Sequence, residues 1–337
     1  MAEHRVCLYF SWSRPLETGA ALADINNRFP ALFETRRIQY PRFEHLARSP
    51  DIDQGIAGFL DHIQLPNFHN FLHLAKAITR HPVLLLERVD DNVGTLELTD
   101  ELLGDVDTLI IVSFDSMKSR QRPSTGEMKA LRRFLRAPDN LLFVCPHHDI
   151  GDTSDVTPDV WERHQETEFH HHGDRSIPPQ QRFGGFGRAV LAALGVPVEN
   201  RFGLRPRLDS RGAPWPFRAA RALDRWGLLK EVETFNAHPH LPHFERVGQA
   251  RDRLDVLVQQ QVEPTAPPHP FCDGGWRDFD AMLQSRPGVF NGTLLVCDST
   301  LWSSTAGGLA QLQMFWSNVL HRSAVSAVPP LPPGAVP

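Results

Sequence analysis

The chain is expected to fold as an α/β protein: a mostly parallel sheet flanked by helices on both faces, in a flavodoxin-like three-layer arrangement, with a long irregular insertion. Three observations predict this. Short apolar runs rich in β-branched residues alternate with amphipathic helical stretches, the sequence form of a sheet wrapped by helices. The apolar runs are hydrophobic almost without interruption, as suits strands covered on both faces. With 41% hydrophobic and 22% charged residues over 337 positions, the chain has enough apolar material for a large core. No internal repeat or linker composition divides it. The expected organisation is one α/β domain over 1–325, an insertion at about 150–290, and a Pro-rich flexible tail over 326–337.

The expected strands are Val6–Phe10, Val83–Val89, Thr108–Phe114, Leu141–Cys145 and Thr293–Cys297. Ser124-Thr-Gly-Glu127 has the spacing of a capping box and opens a helix over Met128–Arg136, which Pro138-Asp139-Asn140 stops. Phe183–Leu194 reads as a helix closed by Gly195, with Pro197 beyond it. Gly307–His321 carries Leu309, Leu312, Phe315, Trp316, Val319 and Leu320 on one side and closes the fold. Between Phe202 and about Val262 the pattern is less regular, with short strands expected near Val232–Phe235 and Leu254–Val258.

Composition removes several classes of function. No apolar run approaches the roughly 20 residues of a membrane-spanning helix, and Met1–Phe10 has no signal-peptide pattern, so a soluble, cytoplasmic protein with no membrane partner is expected. A net charge of −5 spread over both halves gives no footprint for nucleic acid. The four cysteines (Cys7, Cys145, Cys272, Cys297) are too few and too scattered for a disulfide framework. Self-association is left open.

Three segments resemble the class I glutamine amidotransferase-like superfamily, in its ThuA-like or related branches. They are Val106–Ser113, the capped helix and strand Ser124–Cys145, and Gly292–Ser299 with the long helix after it. The resemblance implies the α/β fold. It does not carry the catalytic motif: no Gly precedes or follows the cysteine in Cys145-Pro-His-His-Asp-Ile-Gly151, and no His-x-Glu pair lies near the end of the chain. Glutaminase chemistry is therefore not expected, and fold alone assigns no activity.

Candidate chemistry comes from histidine. Of 17 histidines, six fall within 147–172 and three within 238–243. In open α/β sheets ligands bind outside the carboxyl ends of the strands, which nominates Asp115-Ser116, Cys145–Asp149 and Asp298-Ser299. His147 and His148 can bind a metal, and Asp149 can orient a ligand or act as base. Cys145 is a second catalytic candidate, although Pro146 removes a backbone N–H that an oxyanion hole would use. His238 and His240 point to one side of an extended chain stiffened by Pro239 and Pro242, with His243 or Glu245 as a third ligand. The tract His170-His-His172 reads as a solvated loop. Asp115, Arg201, Arg205 and Asp298 are expected to bind substrate, the arginines by clamping a carboxylate or phosphate.

These readings predict a metal-dependent hydrolase or lyase acting on a small polar substrate, with zinc or iron as the divalent metal. The alternatives are a metal-free Cys/His enzyme, or a non-catalytic module that binds a small molecule or a partner.

Overall fold

The computed structural model describes residues 4–13, 67–90, 94–115, 119, 121–147, 157–159, 162, 166, 184–200, 202–266, 269–304 and 306–322. The expected tail at 326–337 and the His170–His172 tract lie outside these residues.

The strands are β1 (Val6–Ser13), β2 (Leu84–Asp90), β3 (Gly94–Thr95), β4 (Thr108–Ser113), β5 (Leu141–Pro146), β6 (Val198–Glu199) and β7 (Gly203–Leu204). They continue with β8 (Arg218–Ala219), β9 (Leu241–Pro242), β10 (Glu245–Arg246), β11 (Leu254–Gln261), β12 (Asp278–Ser285) and β13 (Thr293–Cys297). The helices are α1 (His69–Thr79), α2 (Asp100–Leu103), α3 (Thr125–Phe134), α4 (Gly185–Ala193), α5 (Ala250–Arg253), α6 (Pro270–Asp273) and α7 (Leu309–His321). Nine strands form one sheet in the order β3-β2-β1-β4-β5-β13-β12-β11-β8. The five from β2 to β13 run parallel, and the flanking strands on both sides are antiparallel. Among the described residues no helix is long and apolar enough to cross a membrane.

Two cores lie on opposite faces of this sheet because successive strand residues point to opposite sides. Leu8, Phe10, Ile110 and Phe143 meet α1 through Phe71 and α7 through Leu312, Phe315, Trp316 and Val319. Cys7, Tyr9, Leu109, Ile111 and Leu142 meet α3 through Met128, Leu131 and Phe134, and α4 through Phe186, Val190 and Leu191. Each fully buried large apolar side chain contributes about 1.5–3 kcal/mol, so the closing helix α7, with four of them, is a main anchor of its face of the sheet.

The start of α3 shows how local chemistry joins the packing. Glu127 closes the capping box, its carboxylate accepting from Ser124 N–H at 2.8 Å. The same carboxylate pairs with Arg88 on β2, and both side chains are buried. Arg88 also donates to the Tyr9 hydroxyl at 3.0 Å and lies 4.5 Å above the Phe186 ring.

One expected strand is absent. Val232–Phe235 is not paired in a sheet: Glu233 N–H donates to the Gln311 side chain at 2.6 Å, and Phe217 N–H donates to the Glu233 carbonyl at 2.9 Å. Val232 and Phe235 are apolar because this loop buries them beneath α7. Conversely, β12 is a central strand that the apolar pattern conceals, since Asp278, Asp280 and Gln284 break its hydrophobic run.

Candidate functional site

The register lines up the carboxyl ends of the parallel strands. Ser11 stands opposite Ser113, and Ser113 opposite Pro146. Val144 faces Val296, which brings Asp298 level with Pro146. The strand order reverses between β1 and β4, the point at which this class of sheet leaves a crevice.

Asp115 sits at that reversal, fully buried, where β4 ends. Its carboxylate accepts from Ser113 Oγ at 2.6 Å, Ser11 Oγ at 3.3 Å and Phe186 N–H at 2.8 Å, in the first turn of α4. Ser113 Oγ in turn accepts from Gly187 N–H at 2.9 Å. Burial pushes the Asp115 carboxyl up to about 6, against the pull of the Ser113 and Phe186 hydrogen bonds and the nearby Arg188.

His147 follows β5 and is buried. Its backbone N–H continues the ladder to the Ser113 carbonyl at 3.1 Å, and its ring stands edge-on to Phe114 with centroids 4.8 Å apart. Its carbonyl accepts from the Asn200 amide, whose oxygen accepts from Arg188 of α4 at 2.6 Å. The imidazole Nδ1 lies 3.1 Å from Ser299 Oγ. Gly184, at φ +71°, lets the start of α4 approach this loop: a Cβ there would stand 2.8 Å from Pro146 Cβ.

Asp298 caps the short 3₁₀ helix Ser299–Trp302 through Oδ2, which accepts from Thr300 N–H at 3.0 Å and from the Thr300 hydroxyl. Its Oδ1 is buried and has no hydrogen-bond partner among the described residues. Burial pushes this carboxyl up to about 6 as well, the Thr300 and Ser299 hydrogen bonds opposing. Asn236 donates to Thr300 Oγ1 at 3.0 Å and accepts from His238 N–H at 3.0 Å. The loop carrying His238 is thereby tied to the turn that carries Ser299.

The other sequence-nominated residues fall as follows. His238 Nδ1 accepts from His240 N–H at 3.2 Å, the two rings are 6.4 Å apart, and burial lowers His238 to about 4, so it is neutral at physiological pH. His243 Nδ1 accepts instead from Asp280 N–H at 3.1 Å and its ring packs on Phe271, so it faces β12 rather than forming a set with His147. Cys145 is fully buried with Sγ 3.6 Å from Cys297 Sγ, and burial together with that thiol raises it well above the ordinary cysteine range. Arg205 is exposed, just after β7. His148, Asp149 and Arg201 lie outside the described residues. Among the described residues, no group of three or more His, Cys, Asp or Glu is gathered as a metal ion would require.

Sequence reasoning named Asp298 but gave no role to Ser299, and it missed Asn200 and Asn236. The clue to Ser299 was available, since it lies two residues beyond β13 at the carboxyl edge of the sheet.

No protein-family model matches the chain, and no curated protein matches it. Among solved structures it is similar to the exo-β-1,4-mannosidase Op5Man5 from Opitutaceae bacterium strain TAV5, at 11% identity and a TM-score of 0.32. The match covers 94% of this chain but 35% of the mannosidase chain, so this chain spans about a third of that protein's length. At that score the likeness carries no argument about fold or activity.

Proposed function

We propose that this chain is a hydrolase acting on a small polar acyl substrate, with its site at the carboxyl ends of β4, β5 and β13. The arrangement is read as flavodoxin-like: α1 and α7 on one face, α2 to α4 on the other, and the site along the carboxyl ends of the parallel strands beside the reversal of strand order. The observation that carries the proposal is the 3.1 Å separation of His147 Nδ1 and Ser299 Oγ, the spacing of a nucleophile and its base.

In this reading Ser299 Oγ attacks the acyl carbon as its proton passes to His147 Nδ1. The imidazolium returns that proton to the leaving group, and water then cleaves the acyl-serine with His147 again as base. The Phe114 ring packs edge-on against the imidazole and the Asn200 amide holds the His147 backbone, so little reorganisation accompanies the transfer. Asp298 Oδ1 stands beside the nucleophile as an acceptor, or as a proton donor near pH 6. Burial of both partners restricts the substrate to a small molecule.

A fluorophosphonate probe tests this by covalent labelling read by peptide mass spectrometry. Label on Ser299 in the wild type, lost in Ser299→Ala and much slowed in His147→Gln with unchanged circular dichroism, is the expected result. Folded wild-type protein that takes no label at Ser299 overturns the proposal.

A metal site is the competing proposal, favoured by a neutral His238 tied to the same turn as His147. Zinc or iron would be held by His147 and His148 with His238 or His240, and His243 would have to swing away from Asp280. Thermal stabilisation by added zinc or iron, lost on His147→Gln, supports that reading over the serine one.

A further inference from the structure

A second cavity, of about 650 Å³, opens where β11 ends and β12 begins. This is within the range of sites that take small organic ligands. Its walls share no residue with the His147–Ser299 crevice, and β12 and β11 stand two and three places along the sheet from β5.

One wall is aromatic. Trp276 is 65% exposed, the most exposed large apolar side chain among the described residues, and faces the cavity with Phe271. A Cβ at Gly274 would lie 2.9 Å from Trp276 Cδ1, so the glycine is what lets the indole lie against the backbone. A solvated indole is a flat platform with nothing in the described structure stacked on it.

The other wall mixes acceptors and donors. Asp280 is nearly buried and accepts from Gln259 Nε2 at 2.8 Å. Asp278 pairs through one oxygen with Arg218 at 2.8 Å, while its Oδ1 is buried with no hydrogen-bond partner among the described residues. A buried carboxylate oxygen without a donor is costly unless a ligand supplies one. The His243 ring, whose Nδ1 accepts from Asp280 N–H, also lines the cavity. Glu245, Arg246 and Arg251 also line it, so neither sign of charge dominates.

We propose that this cavity is a binding site for a neutral saccharide. An indole platform takes the C–H face of a sugar ring, and the carboxylate and amide groups beside it take hydroxyls, each of which both donates and accepts. A strongly anionic ligand would meet Asp278, Asp280 and Glu245, and a strongly cationic one would meet the two arginines.

Calorimetric titration of the full chain with glucose, galactose, N-acetylglucosamine and maltose, alongside glycine and inorganic phosphate, tests the site. The expected result is saturable binding of at least one sugar at one site per chain. It weakens about tenfold in Trp276→Ala, from loss of the stacking contact, and is largely kept in Trp276→Phe. Asp280→Asn, which alters the polar wall, weakens it independently. Fluorophosphonate labelling of Ser299 is unchanged in Trp276→Ala, which separates this site from the crevice. No saturable sugar binding, sugar binding indifferent to Trp276→Ala, or binding of glycine or phosphate alone overturns the proposal.

Discussion

At the scale of single residues, the structure changes what Cys145 can do. A thiol nucleophile needs a lowered pKa, and burial against Cys297 at the end of β5 raises that of Cys145 instead. Cys7, Cys145 and Cys297 are buried, and only Cys272 is half-exposed. A disulfide reagent should therefore titrate one thiol in the native protein, at Cys272, and reach the other three after denaturation. Cys145→Ser should leave Ser299 labelling intact. Rapid native modification of Cys145 would reverse this reading. His147 was legible as a candidate in the sequence because it follows a strand at the carboxyl edge of the sheet. Its partner was not, since Ser299 is 152 positions away and joins it only through the register of β5 and β13.

At the scale of elements, the parts whose formation is local were readable in advance. The capping box at Ser124 and Glu127 depends on two residues three apart, and it forms as the spacing predicts. Gly195 closes the turn after α4 at φ +78° for an equally local reason. Gly184 is different, because both its left-handed backbone and its contact with Pro146 arise from docking α4 against β5. Gly184→Ala should cost about 1–3 kcal/mol from the backbone alone, measured by urea unfolding. It should also slow Ser299 labelling, since the displaced helix start carries the amide that holds Asp115 and the Arg188 that holds Asn200. A variant as stable and as reactive as wild type would show that α4 tolerates the shift. The strand β12 and the loop at Val232–Phe235 mark the limit of pattern reading. Polar residues facing a cavity disguised the one, and apolar residues buried from a loop imitated a strand in the other.

At the scale of the whole molecule, the buried carboxyls link stability to pH. Asp115 and Asp298 have folded values of about 6, whereas an unfolded chain has about 3.9. Between those values the folded state binds more protons, so their contribution is fully present below about pH 4 and is lost as pH rises through about 6. His238, lowered to about 4 from about 6.5, acts oppositely, and its contribution is lost as pH falls through that window. The difference between wild type and Asp298→Asn isolates one term. Urea unfolding should show the variant gaining on wild type by on the order of 2–3 kcal/mol between pH 4 and pH 6. A difference that stays constant over that range would mean Asp298 does not titrate there.

The sequence by itself determined the α/β class, the five parallel strands, the capped helix and the closing helix, because hydrophobic period and capping are properties of neighbouring residues. It also nominated the carboxyl edge of the sheet as the place to look for a site. Only the tertiary structure decided which groups meet on that edge. His147 and Ser299 are joined through strand register, His238 is tied to their turn through Asn236, and His243 is drawn off to β12. Contacts between residues distant in the chain depend on how the strands align and the helices dock, and no local pattern encodes that alignment.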